Sequence, residues 1–133
     1  MNAPWQALFA LAWAVIGVPY LVYAATRPGS GKPTLHAVLM TIAVVMEIAV
    51  MIAFGVLMTP TPRRMALMKQ PLFTVHLAFA IGSLVGMAWQ LTSRTAPRLR
   101  PVHEKTGPYV VLIWSLALLT GIYNYVFLYV LAP

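Results

Sequence analysis

The sequence has no cysteine and no aspartate, and only 8% of its 133 residues are charged. Without cysteine the chain cannot form disulfides, attach c-type haem covalently, or bind copper or iron–sulfur clusters through thiolates. A soluble domain has about 25% charged residues, so a chain that is 61% hydrophobic cannot cover its surface as a soluble protein. No Gly-rich phosphate loop occurs, and no serine has an adjacent acid–base pair, which argues against hydrolysis and phosphoryl transfer.

Four apolar runs, at about 5–25, 35–58, 71–93 and 106–131, dominate the sequence. About 20 residues of helix cross the ~30 Å hydrocarbon core of a bilayer. Helices are the required form, because an open strand leaves backbone polar groups unpaired in lipid. The short links make neighbouring helices antiparallel. We therefore predict an all-α, integral membrane, up-down-up-down four-helix bundle, with residues 1–133 as one transmembrane domain.

The basic residues predict how the bundle is oriented in the membrane. The first and third links contain six of the nine, Arg27, Lys32, Arg94, Arg98, Arg100 and Lys105, and the second link contains the other three. The positive-inside rule places the richer links in the cytoplasm and both termini outside. The net charge of +7 also favours contact with anionic membrane lipids. Nothing else in the sequence indicates nucleic-acid binding.

Two of the three histidines are predicted to lie at one level of the bundle. His36 is in the first turn of the second helix and His103 is at the start of the fourth, and these helices start from the same side and lie diagonally across the core. Two facing imidazoles are the axial ligands that a b-type haem needs. Gly107 and Trp114 continue the His103 stripe and would pack against the macrocycle. The alternative interpretation is that each histidine is an interfacial residue without a ligand. If the fourth helix begins at Pro108, the direction of His103 is also undetermined.

Glu47 lies near the middle of the second span, where no cation is predicted. A carboxylate there must be protonated, hydrogen-bonded, or facing water or a metal. His76 and Asn124 are candidate partners, and such a cluster would relay protons or bind a second metal. The alternative is a polar clasp that fixes the helix register. Met40, four residues after His36, offers a soft thioether to Cu(I), although methionine also fills apolar cores.

Several segments of the chain resemble the DUF420 family of small bacterial membrane proteins. The resemblance is carried by Val102-His103-Glu104-Lys105-Thr106-Gly107-Pro108, Ile113-Trp114, Thr120-Gly121, Tyr123 and Leu128-Tyr129-Val130-Leu131, and by the His36 and His76-Leu77 motifs. Ala37 departs from the basic residue expected after the second-helix histidine. The resemblance implies a protein of the bacterial cytoplasmic (inner) membrane, linked to maturation of haem–copper oxidases, with His36, His76 and His103 binding haem or copper.

Three hypotheses follow from the residues and the resemblance. The first is a haem b-binding protein with His36 and His103 as ligands, serving respiratory oxidase assembly or electron transfer. The second is a copper-handling assembly factor that uses histidine and methionine ligands, with Glu47. The third is a metal-free accessory subunit whose histidines contact a partner such as an oxidase subunit. The first two describe a redox carrier or an assembly factor, and the third describes an accessory subunit. The sequence favours these roles over that of an enzyme, and each permits a homo-oligomer.

Overall fold

The computed structural model describes residues 3–131, and this part of the chain is helical without any strand. Four of its helices are long and apolar enough to cross a membrane. They are α1 (Trp5–Ala25), α2 (Pro33–Val50, extended by a π-helical segment, Met51–Val56), α4 (Pro71–Thr95) and α5 (Arg100–Tyr125, extended by a π-helical segment, Val126–Val130); a short helix α3 (Pro62–Met68) precedes α4. The predicted all-α four-helix architecture is confirmed.

Large apolar side chains are exposed along all four long helices. Examples are Val15 on α1, Val45 on α2, Val85 on α4 and Leu112 on α5, each more than half exposed. A soluble protein does not leave such a continuous apolar surface in water, whereas lipid solvates it. These are the features of a multi-pass membrane protein.

Prolines set where several of these helices begin. Pro33, Pro62 and Pro71 each occupy the first helical position, where a backbone N–H would have no partner within the helix. The fourth long helix, α5, begins at Arg100 and has Pro101 at its second position. The predicted start near residue 106 was therefore several residues late. Pro108 lies inside the helix, and His103 lies within its first turn.

The four long helices pack in the spatial order α2, α1, α5, α4. Helix α1 contacts both α2 and α5, and α4 packs on α5, whereas α2 and α4 barely contact each other. Gly82 and Gly86 allow α4 to approach α5 closely, since a Cβ at Gly86 would lie 2.9 Å from a methyl of Val110. The core between the helices includes Trp13 and Trp114. The bundle is thus closed around α1 and α5 and open between α2 and α4.

Helix α3 supplies two arginines to the ends of the spanning helices. The Arg63 and Arg64 guanidinium groups donate to backbone carbonyls of Phe54, Met58, Thr59 and Phe127. The last carbonyls of a helix have no partner within the helix, and a cation at that end also interacts favourably with the helix dipole. We call this end of the bundle the terminal end, and the opposite end, with the first and third links, the basic end.

Candidate functional site

A cavity of about 360 Å³ opens between α2 and α4 at the basic end, with α5 behind it. Its volume is within the range of small-molecule sites. Its wall contains every residue predicted for the haem site, and it also contains Met40: His36, Met40, His103, Gly107 and Trp114. We call this the paired-histidine cavity.

His36 and His103 face each other across this cavity. Their ring centres are 6.4 Å apart and their planes are inclined at 81°. The Nδ1 atom of His36 lies 2.9 Å from the Ala24 carbonyl oxygen, and that of His103 lies 3.2 Å from the Gln90 carbonyl oxygen. A carbonyl oxygen only accepts, so each Nδ1 carries the hydrogen and donates it. In a neutral ring, Nε2 is then left with a free lone pair, as in histidines that bind metals.

The separation of the two rings fits a shared metal ion. A metal–nitrogen bond is about 2.0 Å and a nitrogen lies about 1.1 Å from its ring centre, so two imidazoles on opposite sides of one metal have centres about 6 Å apart. An edge-to-face aromatic pair without a metal has a similar spacing. The backbone bonds at both Nδ1 atoms fix the orientation of the two rings on the cavity wall.

Gln90, Ser93 and Arg94 on α4 also belong to this region, although they are not among the site residues predicted from the sequence. The Gln90 side-chain amide donates to the Thr106 hydroxyl, while its Oε1 is buried without a partner among residues 3–131. Ser93 is fully buried, with Oγ 3.5 Å from Nδ1 of His103. Arg94 lines the cavity and places a cation there. Their close spacing near the end of α4 was the sequence signal from which a polar site could have been predicted.

Glu47 is bound by two tryptophans. The Nε1 atoms of Trp13 on α1 and Trp114 on α5 each donate to Oε2 of Glu47 at 2.8 Å. These bonds join three helices at mid-span. His76 and Asn124, the predicted partners, do not hydrogen-bond to this carboxylate. Because Trp114 also lines the paired-histidine cavity, it links that cavity to Glu47.

A second cavity, of about 400 Å³, lies toward the terminal end. Its wall includes Glu47, His76 and Asn124, so the three residues of the predicted polar cluster share one space. We call it the Glu47 cavity. The Nδ1 atom of His76 lies 3.1 Å from the Ala117 carbonyl oxygen. His76 is therefore separate from the other two histidines, and residues 3–131 contain no group of three His, Asp or Glu side chains arranged to bind one metal.

The chain matches no protein-family model, no curated protein and no solved structure in the comparisons made with each. The DUF420 resemblance stays a prediction carried by the motifs quoted above. The paired histidines, their backbone partners and the cavity that they line are the basis for the function proposed below.

Proposed function

We propose that the protein binds haem b through His36 and His103 and serves respiratory oxidase assembly or electron transfer in the bacterial cytoplasmic membrane. The observation that supports this most directly is the pair of imidazoles, 6.4 Å apart, that line one cavity. Cysteine is absent, so the haem is bound without a covalent attachment.

The surrounding residues have distinct roles in this proposal. His36 and His103 would hold the iron through Nε2, while the Ala24 and Gln90 carbonyls fix the orientation of the rings through Nδ1. Arg94 offers its guanidinium to a haem carboxylate. When bound, a haem with two histidine ligands supplies one-electron transfer.

We further propose that the basic end faces the cytoplasm, with both termini outside. The six basic residues of the first and third links support this orientation through the positive-inside rule. The haem would then lie near the cytoplasmic face. A cysteine-accessibility assay on single cysteines introduced at Ser30 and at Thr61 tests this, since only the first should be protected from an impermeant thiol reagent in intact cells.

Absorption spectroscopy of the protein purified in mild detergent tests haem binding. A haem-replete preparation should show a Soret band, with sharp α and β bands after dithionite reduction. His36→Ala and His103→Ala should each remove these bands, because each takes away one axial ligand. His76→Ala is the matched control and should keep them, since His76 lines the other cavity. A featureless spectrum from folded, haem-replete wild type would refute the proposal, and so would equal loss in all three variants.

A copper-handling function is the second candidate, and Met40 is the observation that favours it. Met40 lines the same cavity as the two histidines, so two imidazoles and a thioether are available to Cu(I). Competition with a chromophoric Cu(I) chelator measures this. Copper affinity should fall in Met40→Leu and His103→Ala and stay unchanged in Met65→Leu, which alters an exposed methionine on α3. A protein that binds neither haem nor Cu(I) would instead support a metal-free accessory subunit.

A further inference from the structure

Glu47 has one carboxylate oxygen that is free to bind a ligand. Oε2 accepts from the indoles of Trp13 and Trp114, whereas Oε1 has no hydrogen-bond partner among residues 3–131. Oε1 is not one of the fully enclosed polar atoms in that range, so it is accessible from the Glu47 cavity. No Lys, Arg or His nitrogen of residues 3–131 lies within 4.0 Å of the carboxylate. A side chain that is only 8% exposed therefore points an unpaired oxygen into a cavity.

Arg64 is the only Lys or Arg among residues 3–131 in the wall of this cavity, and it is bound elsewhere. Its guanidinium donates to backbone carbonyls of Phe54, Met58 and Thr59 and lies 5.3 Å from the centre of the Phe54 ring. Phe54 follows Glu47 by seven residues, which is roughly 10 Å of helix. The carbonyls and the negative end of the α2 dipole hold this cation at the terminal end. Arg64 therefore forms no ion pair with Glu47.

The wall around Glu47 suits a ligand with a large apolar surface. The volume of about 400 Å³ is within the range of small-molecule sites. Most of the wall is apolar, and it includes the aromatic residues Trp13, Phe54, Phe73 and Tyr125. The faces of aromatic rings attract cations, most strongly where water is excluded. The cavity thus combines an unpaired carboxylate oxygen with surroundings that solvate a bulky apolar cation.

The position of Glu47 argues against smaller or more polar cations. Nine residues separate it from Val56, so the carboxylate lies roughly 10 to 14 Å from the end of the α2 extension. The amine of a phospholipid head group at the membrane surface does not reach that depth. A metal ion needs several ligands, and residues 3–131 contain no group of three His, Asp or Glu side chains around one point. Helices α2 and α4 both contribute to the wall and barely contact each other, so a molecule dissolved in lipid can enter between them.

We propose that the Glu47 cavity binds a lipophilic organic cation from the bilayer, such as a quaternary ammonium or phosphonium ion. The cation lies beside Oε1 of Glu47, and its apolar groups pack against the aromatic wall. An ionised carboxylate at mid-span is costly without a partner, and the bound cation supplies that partner. The indole N–H groups on Oε2 stabilise the same ionised form. This function goes beyond the one proposed above and does not require haem at the other end of the bundle.

Equilibrium partition between protein-containing and empty phosphatidylcholine nanodiscs tests the proposal. The probe is methyltriphenylphosphonium, and the empty discs correct for its solubility in lipid. Wild type should bind it saturably. Glu47→Gln should weaken binding at least tenfold, because the amide keeps an acceptor for both indoles but has no charge. The neutral molecule of the same shape, 1,1,1-triphenylethane, should bind wild type at least tenfold more weakly after the same correction.

Glu104→Gln is the matched control. Glu104 is the other acidic residue of the chain, its side chain is 69% exposed, and it does not line the Glu47 cavity. Its replacement removes the same charge and should leave binding of the phosphonium unchanged. The comparison of the two probes uses wild type alone, so it does not depend on the folding of a variant. No saturable binding by wild type, equal affinity in Glu47→Gln, or equal affinity for the neutral probe would each overturn the proposal.

Discussion

Replacing Glu47 should destabilise the bundle by an amount that the structure allows us to work out. Oε2 of Glu47 accepts from two buried indoles, and Trp114 is fully buried. Glu47→Leu leaves both N–H groups unpaired. Hydrogen bonds between helices in membranes contribute about 0.6 kcal/mol on average and about 1.7 at most, so we expect a loss of about 1.2 to 3.4 kcal/mol in the free energy of unfolding. Glu47→Gln retains an acceptor and should cost less than about 1 kcal/mol.

Unfolding by SDS in mixed micelles, followed by tryptophan fluorescence, measures the difference between these two variants. A double-mutant cycle with Trp13→Phe separates the hydrogen bond from packing. In the Glu47→Leu background, Trp13→Phe should cost about 0.6 to 1.7 kcal/mol less than in wild type, because its partner is already gone. Trp89→Phe, which alters an exposed tryptophan, is the control and should show no coupling. If the leucine variant is as stable as the glutamine variant, the carboxylate does not join the three helices energetically.

Three further predictions concern packing and helix ends. Gly86→Ala should lower the free energy of unfolding by about 1–3 kcal/mol, because the new methyl would lie 2.9 Å from Val110. The control is Gly55→Ala, which meets nothing within 4 Å and should leave the free energy of unfolding unchanged or raise it by up to about 1 kcal/mol. Equal losses in the two variants would contradict the close approach of α4 to α5. Arg64→Gln should speed amide hydrogen exchange in residues 51–58, and unchanged exchange would show that its bonds to carbonyls do not stabilise the end of α2. Tyr20→Phe removes a 2.9 Å bond to an α2 carbonyl and should cost about 0.6 kcal/mol in SDS unfolding, whereas no loss would place that hydroxyl with lipid or water.

The four spans and the common level of the two histidines could be predicted because each depends only on distance along the chain. Comparing the length of each apolar run with the thickness of the bilayer predicts the helices. The direction of each helix then predicts the depth of each residue in the membrane. His36 and His103 are each close to the start of a helix that begins at the same end, so their shared level follows from counting. The predicted cavity wall residues Gly107 and Trp114 follow from the helical period in the same way.

The partners of Glu47 could not be predicted because they depend on how α1 is rotated. In a soluble bundle the polar face of a helix shows its rotation, but a membrane helix is apolar on all sides. Trp13 therefore looks like any lipid-facing or core tryptophan in the sequence. A better signal was the series of small and apolar residues on α1 that the structure buries: Ala7, Ala14, Gly17, Leu21 and Ala24. That series identifies the buried face, and Trp13 lies beside it.

The start of α5 and the role of α3 were missed for a different reason. Pro97, Pro101 and Pro108 are each suited to begin a helix, and local sequence alone does not choose among them. Arg63 and Arg64 entered the sequence analysis only as charges that indicate orientation. Their contacts with carbonyls of α2 and α5 join segments far apart in the chain, which a local pattern does not contain.

The distribution of small residues explains why the bundle has cavities at all. Glycines on α4 draw it against α5, and Gly17 draws α1 against Leu118 of α5, where a Cβ would lie 2.7 Å from a methyl. No such close approach joins α2 to α4. Both cavities lie along that gap, and the Trp114–Glu47 hydrogen bond stands between them, with Trp114 in the wall of one and Glu47 in the wall of the other. A ligand that shifts Trp114 must therefore move or break the bond to Glu47, so the two sites are mechanically connected through one side-chain contact.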